Sequence, residues 1–284
     1  MFSVLRRPRW LAYLALAVLF GIITANLGLW QWHRHEEKVE RRDLIERNYD
    51  AAPVPVGDVL SGPGGELPEG DQWRRVEATG TYAVDAQHWV RNRPHLGVYG
   101  FEIVVPLVLE DGTALTVDRG WVRNAPVAAQ LPEVPDPPSG EVTVTGWLRP
   151  SEQDLGRDMP EQQLASIDIP RLSAASGLEL LPAYILLESE DPAPAERPEA
   201  AEPPDTLLGS HFAYAIQWWL TVPVGLILVL VMARQIARDE AEESGGRAVG
   251  SGAVGSGRVA RGAEPAQPKA KKPKKVRIWD EEDA

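Results

Sequence analysis

Three residues in the last third of the chain are the best candidates for chemistry. In the segment HFAYAIQWW, which begins at residue 211, His211, Tyr214 and Trp218 share one helix face because their spacing is i, i+3 and i+7. A neutral imidazole can ligate a haem iron, and aromatic rings on the same face can line a porphyrin plane. His33 and His35 lie at the same end of another apolar segment and are candidates for a second axial ligand. The alternative is an aromatic belt at a membrane surface, with His211 solvated among headgroups.

A second group stands in the segment LGLWQWHRHEEK, which begins at residue 27. Its members share one helix face through spacings of three, three and four: Gly28, Gln31, Arg34 and Lys38. Glycine lets another helix approach closely, and Gln31 offers an amide at membrane depth. The alternative is an ordinary exit from the membrane, with Trp30 and Trp32 in the interfacial belt and Arg34 reaching the headgroups.

The block DRGWV, Asp118 to Val122, is the densest motif between these segments. We expect it to close a strand, with Arg119 paired to Asp118 or Glu102 and with Trp121 packed in the core after Gly120. A partner-binding role for the block is the alternative. The sequence therefore marks Arg119, Gly120 and Trp121 as interaction or structural residues.

The loop RNRPHLGVYG, residues 91–100, is a further candidate because it places two arginines beside glycines that permit a tight turn. Arg91 and Arg93 could clasp an acidic loop of a partner or a propionate group. The alternative is a solvated connection between two strands, in which neither guanidinium has a binding role.

Several classes of function are excluded by what the 284 residues lack. The chain has no cysteine, which excludes disulfides, zinc fingers, iron–sulfur clusters and thiol-based copper relays. No hydrolase, metalloprotease or nucleotide-binding motif is present, and the five histidines are scattered. Residues 33–210 hold 15 basic and 32 acidic side chains, a net of −17, which disfavours nucleic acid as a partner. We therefore expect neither an enzyme nor a resident metal other than a haem iron at His211.

Two charge-free windows, Trp10–Trp32 and Phe212–Ala233, position these residues. Each exceeds the roughly 20 apolar residues that cross a hydrocarbon core, so we predict transmembrane helices over residues 10–32 and 211–233. The first window could instead be a signal peptide, but it is long for one and ends in tryptophans. The basic flank after the second window places both termini in the cytoplasm and residues 33–210 outside. Residues 1–9 are short for a mitochondrial transit peptide, which favours a bacterial plasma membrane.

Short alternating segments between the windows predict a mainly antiparallel β domain, a small barrel or a sandwich with short helices. The predicted strands cover residues 74–82, 87–91, 101–109, 113–123, 141–149 and 183–188. Asp111–Gly112 predicts a hairpin, and Pro106 predicts an edge strand or a bulge. A short helix is expected over 170–176, and residues 33–48 should continue the first helix out of the membrane.

The end of the chain has a different composition. Residues 190–205 read as a stiff acidic linker. Residues 234–284, rich in glycine, alanine and lysine, predict a disordered cytoplasmic tail. Its run 269–277 carries six basic residues that could touch anionic lipid or remain solvated.

The order of these blocks resembles the surfeit locus protein 1 family, the cytochrome c oxidase assembly factors. The blocks are LGLWQWHRHEEK, RRVEATGTY, VVPLVLEDGTALTVDRGWV, GWLRPSE and HFAYAIQWW, and the likeness covers about residues 10–238. It implies that Gly28, Trp30, Gln31 and Arg34 match the family's residues near its first span. Two departures stand in the central block, where the family often has Asn at the place of Asp118 and Pro at the place of Arg123.

The resemblance implies a membrane assembly factor that binds haem a transiently and passes it to the largest subunit of the oxidase. His211 would be the axial ligand, with Tyr214 and Trp218 as walls. Oxidase subunits, other assembly factors and membrane lipid are the implied partners. The rivals are a scaffold for assembly intermediates that holds no haem, and a membrane-anchored external enzyme.

Overall fold

Long helices precede and follow the strands in the computed structural model of the chain, which describes residues 2–127 and 130–250. The helices before the strands are α1 (Phe2–Leu5) and α2 (Pro8–Asn48), and those after them are α4 (His211–Thr221) and α5 (Val224–Gly250). Proline at the first position of α2 lacks only an N–H group that has no helical partner there. As predicted, α2 continues past the apolar window. The stretches Pro8–Asn48 and His211–Glu243 are each long and apolar enough to cross a membrane.

The second apolar window differs from the single helix that we predicted. Val222 and Pro223 interrupt it between α4 and α5, because proline has no N–H to donate to the preceding turn. Helix α5 continues to Gly250, so residues 234–250 are helical where their composition predicted a disordered tail. Alanine, glutamate and arginine, which favour helix, dominate residues 233–243 and account for the continuation. The basic run 269–277 lies outside the described residues.

The chain divides into two compact units, one made of residues 1–18 and the chain from residue 225 onward, the other of residues 19–224. In the first unit, Val4, Trp10 and Ala233 bury one another. The Arg7 guanidinium donates to both carboxylate oxygens of Glu240 at 2.7 and 3.0 Å. The candidate functional residues all belong to the second unit.

A closed ring of five strands forms the centre of the second unit. The strands of the sheet are β1 (Val54–Pro55), β2 (Arg75–Tyr82), β3 (His88–His95), β4 (Val98–Leu109), β5 (Ala114–Arg123), β6 (Glu141–Pro150), β7 (Gln163–Leu164) and β8 (Leu180–Asp191). The ring runs β2–β6–β8–β5–β4 and closes by pairing of β4 with β2. Every pairing in it is antiparallel except β5 with β8. The predicted fold, two apolar helices around a mainly antiparallel small barrel, is confirmed.

The barrel interior is filled by branched aliphatic side chains that alternate along the strands. Ile103, Val105 and Leu107 of β4 are fully buried in it. The predicted hairpin is present, with Gly112 at φ 84° and the Asp111 carboxylate accepting from the Thr113 amide at 2.9 Å. Helix α3 (Ile169–Ser176) begins beside Asp168, which accepts from the Arg171 amide at 2.7 Å.

The edge strand predicted from Pro106 was wrong, because β4 is an interior strand that pairs with β2, β3 and β5. The predicted alternative, a bulge, does not fall at Pro106, although the register of β4 shifts between Glu102 and Val104. On one side β4 pairs with β3 up to Val104 and with β2 from Leu107. Pro106 lies at this change of partner, where its carbonyl accepts from the Ala83 amide at 2.8 Å. The missing N–H therefore breaks no ladder bond, and an interior strand tolerates the residue.

The C-terminal end of α2 is fixed to the barrel. The Asn48 amide donates to the carbonyls of Gly70 and Gln72, both at 2.8 Å. The Tyr49 ring stacks on Trp147 with centroids 4.3 Å apart and planes 3° from parallel. The Trp147 indole N–H donates to the Tyr49 carbonyl at 2.9 Å. These contacts hold the helix that carries Gly28 and Gln31 in a set orientation on the barrel.

Candidate functional site

Helix α4 contacts α2 at Gly28 through the Trp219 side chain. A methyl group added to Gly28 would fall within the indole ring of Trp219, so only glycine fits at this position. Gly28 is buried, and Ala215, one turn before Trp219, is fully buried as well. The absence of a side chain at Gly28 thus leaves room for the Trp219 ring against α2.

One hydrogen bond joins the two predicted groups of residues. His211 Nδ1 lies 2.8 Å from Gln31 Oε1, across 180 positions of sequence. An amide oxygen can only accept, so the bond requires the proton of a neutral imidazole to be on Nδ1. The lone pair of a neutral His211 is then on Nε2, for which the described residues supply no hydrogen-bond partner. This is the arrangement in which a histidine is ready to ligate a metal.

Aromatic rings of α2 and α4 contact one another, and two of them, Trp32 and Phe212, are the sequence neighbours of Gln31 and His211. The Trp32 ring lies 6.0 Å from that of Phe212 and 5.9 Å from that of Trp219, measured between centroids. The His35 ring lies 5.3 Å from that of Phe212. His35 Nδ1 is buried and has no hydrogen-bond partner among the described residues. His33, in contrast, is exposed.

The structure separates the other predicted residues of the two helices. Tyr214 is 46% exposed and Trp218 is half-buried, and neither makes a ring contact among the described residues. Trp30 is 55% exposed. Arg34 is exposed and pairs with Glu37 at 2.7 Å, so it does not share the inward direction of Gly28 and Gln31.

The sequence reasoning missed Trp219, which packs on Gly28, and Phe212, whose ring contacts those of Trp32 and His35 although it is 48% exposed; it noted Ala215 only as a small side chain. The face of α4 that meets α2 follows the spacing i, i+4, i+8 from His211, whereas the predicted stripe followed i, i+3, i+7. Ala215 was the available signal, since a small residue one turn after His211 is typical of a helix contact.

In the barrel, Arg119 belongs to a buried ion pair with a partner that was not predicted. Its Nε lies 3.2 Å from Glu190 Oε1, and both side chains are shielded from solvent. The Tyr82 hydroxyl donates to the same oxygen at 2.6 Å, and the guanidinium lies over the Tyr82 ring. Arg119 also donates to the Pro135 carbonyl at 2.8 Å. The predicted pairing of Arg119 with Asp118 or Glu102 was therefore wrong. Asp118, the preceding strand residue, points to the opposite face of the sheet, and Glu102 is paired with Arg93.

Gly120 and Trp121 connect the barrel to the segment before α4. The backbones of Trp121 and Glu199 exchange two hydrogen bonds at 2.7 and 2.8 Å. Gly120 has φ 124°, and a side chain there would strike the Glu199 carbonyl, so this close approach requires glycine. The Trp121 indole donates to the Arg93 carbonyl at 2.9 Å and stacks on His95. Trp121 is buried, as predicted.

Carboxylates crowd the other side of the DRGWV block. Arg93 lies 2.8 Å from Glu102 and also pairs with Glu152, so its guanidinium is not free to clasp a partner. Arg91 donates to Gln163 at 2.6 Å. Asp118 is fully buried, and one of its oxygens has no partner. Burial raises the pKa of the Asp118 carboxyl well above its ordinary value, and the Glu102 carboxylate raises it further.

The raised pKa of Asp118 predicts a dependence of stability on pH. Between the unfolded value of about 4 and the higher folded value, the folded state binds more protons, so stability falls as pH rises through this window, by up to about 1.4 kcal/mol per pH unit. Asp118→Asn keeps an acceptor for the Gly120 amide, which lies 3.0 Å away. The melting temperature of the variant should therefore exceed that of the wild type, and this difference should increase from pH 5 to pH 8. Thermal melts of the full chain at both pH values measure it. Asp158 is exposed, so Asp158→Asn should melt at the same temperature as the wild type at both pH values. An equal increase in melting temperature for both variants would contradict a raised pKa of Asp118 as the cause.

An open cavity of about 810 Å³ lies away from the two helices. Its lining includes His88 and Ser176, residue types that can form a catalytic pair. The Ser176 hydroxyl donates to the Leu172 carbonyl at 2.8 Å, however, and His88 Nδ1 lies 2.9 Å from the Ala86 carbonyl. Across residues 2–127 and 130–250, no group of three His, Asp or Glu is placed to hold a metal ion.

Comparison with known proteins gives one family. The sequence model of the SURF1 family matches residues 18–221. Uncharacterized SURF1-like proteins of Mycobacterium tuberculosis and Mycobacterium bovis are each 32% identical over 233 residues, which is 79% of this chain and 84% of theirs. A SURF1-like protein of Dictyostelium discoideum is 29% identical over 118 residues, 38% of this chain and 42% of its own. The family match includes both Gln31 and His211 and the whole barrel between them.

Proposed function

The chain belongs to the SURF1 family, known generally as oxidase assembly factors, and on that premise we propose that it holds haem a for the assembly of cytochrome c oxidase. The observation that supports the proposal best is the hydrogen bond between His211 and Gln31. The haem would be cargo, held transiently and passed to the largest subunit of the oxidase. Once seated there, it supplies the electron-transfer chemistry of the oxidase.

His211 suits the role of axial ligand because Gln31 fixes its ring. The bond from Nδ1 orients the imidazole and keeps Nε2 unprotonated in the neutral ring. A partner on the non-ligating nitrogen typically contributes about 10- to 100-fold to metal affinity. Gln31 is therefore a positioning residue, and His211 is the residue that would touch iron.

The flanking rings suit a flat apolar ligand. Tyr214 and Trp218 lie on the flank of α4 and are not used in the contact with α2, which leaves them available as walls. For a second ligand the structure favours His35 over His33, since the His35 ring lies beside Phe212 whereas His33 is exposed. The buried Nδ1 of His35 also lacks a partner among the described residues.

We propose that the protein lies in a bacterial plasma membrane with both termini in the cytoplasm and the barrel outside. Two apolar helices of sufficient length support the anchoring. The orientation rests on Arg234 and Arg238, which follow the second window, and on the acidic segment that precedes it. The barrel would then contact oxidase subunits or other assembly factors on the outer side.

The experiment is co-expression of the full chain with the enzymes of haem a synthesis, followed by purification and absorption spectroscopy. We expect pigmented wild-type protein, a loss of more than about tenfold in haem content for His211→Ala, and a loss of about 10- to 100-fold in affinity for Gln31→Leu. His33→Ala, the same substitution at an exposed histidine, is the matched control and should keep the pigment.

The outcomes separate the rival hypotheses. Colourless wild-type protein would overturn the haem role and leave a scaffold for assembly intermediates, for which oxidase subunits should co-purify equally with His211→Ala. A membrane-anchored external enzyme is the third candidate. It is disfavoured by the bonding of Ser176 and His88 to backbone carbonyls in the 810 Å³ cavity.

A further inference from the structure

One face of α2 points away from α4 and carries a polar residue within the apolar window. Its members are exposed: Leu19, Ile22, Ile23, Asn26 and Trp30. We call it the Asn26 face. Asn26 lies two residues before Gly28, so it is turned about 160° from the residue that packs on Trp219. In this window, which has no charge from Trp10 to Trp32, lipid is the default neighbour of such a face.

The Asn26 amide is not satisfied by its own helix. Its Nδ2 donates to the Ile22 carbonyl at 2.8 Å, but its Oδ1 accepts no hydrogen bond among the described residues. A polar group without a partner in hydrocarbon is costly, and lipid tails offer none. The side chain is short, and Cα–Cβ bonds tilt toward the helix N-terminus, which here directs it toward the middle of the window. Asn26 therefore cannot reach the headgroups.

Gln217 on α4 provides a contrast. It is also exposed within an apolar window, six residues after His211. Helix α4 begins at the outer membrane surface, so a tilt toward its N-terminus directs the longer Gln217 side chain toward that surface. Gln217 can be solvated there, so Asn26 is the amide that requires a protein partner.

The barrel lies above the Asn26 face. Leu44 is 18 residues after Asn26, which is five helical turns, so both residues point in the same direction from α2. Leu44 lines a groove of about 600 Å³ between α2 and the barrel residues Trp73 and Arg149. Acidic and basic side chains both line this groove, among them Glu37 and Arg41.

A single transmembrane helix suits this arrangement, because it can pass along the Asn26 face and continue into the groove beside Leu44. We propose that the Asn26 face binds a transmembrane helix of an oxidase subunit, which presents a hydrogen-bonding side chain to Asn26 and continues into the groove beside Leu44.

The choice of an oxidase subunit rests on the proposed function, whereas the need for a polar transmembrane partner rests on Asn26 alone.

The test places a photo-crosslinking amino acid at Ile22 in cells that make the oxidase, with detection by antibody to its largest membrane subunit. We expect an adduct with that subunit. Adding Asn26→Leu should lower its yield about three- to thirtyfold, the range for one hydrogen bond between membrane helices. Asn26→Gln should restore part of it.

The controls keep the outcomes distinct. The same crosslinker at Leu220, an α4 residue that is 70% exposed, should give no adduct. An adduct between two copies of the chain, or equal yields from Ile22 and Leu220, would overturn the proposal. So would an Ile22 adduct that Asn26→Leu leaves unchanged. Haem content of the purified Asn26→Leu protein should equal that of the wild type, so failure of the haem role is detected separately.

Discussion

Arg119→Met is expected to lower the free energy of unfolding by about 3–5 kcal/mol, because it leaves the Glu190 carboxylate buried without its cation. For a chain of this size that corresponds to a fall in melting temperature of about 6–20 °C. The loss should also release the Pro135 carbonyl, which Arg119 holds at 2.8 Å. Thermal melting of the full chain in detergent, followed by tryptophan fluorescence, measures the effect.

A second ion pair provides the control. Arg75 donates to both oxygens of Glu188 at 2.6 and 2.9 Å, but each side chain is about 30% exposed. Arg75→Met should therefore cost less than about 1 kcal/mol. The double variant Arg119→Met, Glu190→Met should recover most of the loss, since it leaves no buried charge. Equal costs for Arg119→Met and Arg75→Met would contradict the account.

Gly28→Ala is expected to disrupt the site although glycine has no functional group. Alanine favours helix by about 1 kcal/mol over glycine, so a net loss must come from the collision with Trp219. Separation of α2 from α4 would break the bond between Gln31 and His211. We expect about a tenfold or greater loss of bound haem, similar to the loss for Gln31→Leu. Haem content and oxidase activity in a complemented deletion strain measure it.

Gly21→Ala is the matched control on the same helix. A methyl group at Gly21 would lie 3.4 Å from the Val222 carbonyl, which is ordinary contact, so this variant should equal or exceed the wild type. Gly28→Ala combined with Trp219→Leu should regain pigment, because the smaller side chain removes the collision. Should Gly28→Ala behave like Gly21→Ala, close packing at Trp219 would not be what positions His211.

Local patterns were sufficient to predict the long strands and the two apolar spans, but not the short strands β1 and β7 or the break between α4 and α5. A charge-free window predicts a span wherever it lies, and alternation predicted six strands to within a few residues. The parallel pairing of β5 with β8 was not predictable in this way, because it joins strands separated by β6 and α3. Pro106 was misread since a strand that changes partner along its length has no local signature.

The site was predictable only in part. His211 and Gln31 were both singled out by residue type, but their bond spans 180 positions. The face of α4 that packs on α2 is the one whose Trp219 ring meets Gly28. This contact joins distant parts of the chain, so the sequence of α4 alone did not identify Trp219 and favoured the face that carries Tyr214. Similarly, no local sequence pattern around Glu190 predicts its ion pair with Arg119. Its selection depends on the register between β5, β6 and β8.

The fixed junction of α2 with the barrel at Asn48 has a geometric consequence. From Gln31 to Asn48 the helix is continuous, and 17 residues at 1.5 Å each give about 25 Å. That stretch acts as a spacer of set length and set phase. Removing one residue from it would shorten the spacer by only about 1.5 Å but would turn the barrel by about 100° relative to Gln31. The direction in which the barrel faces is therefore specified far more sharply than its height.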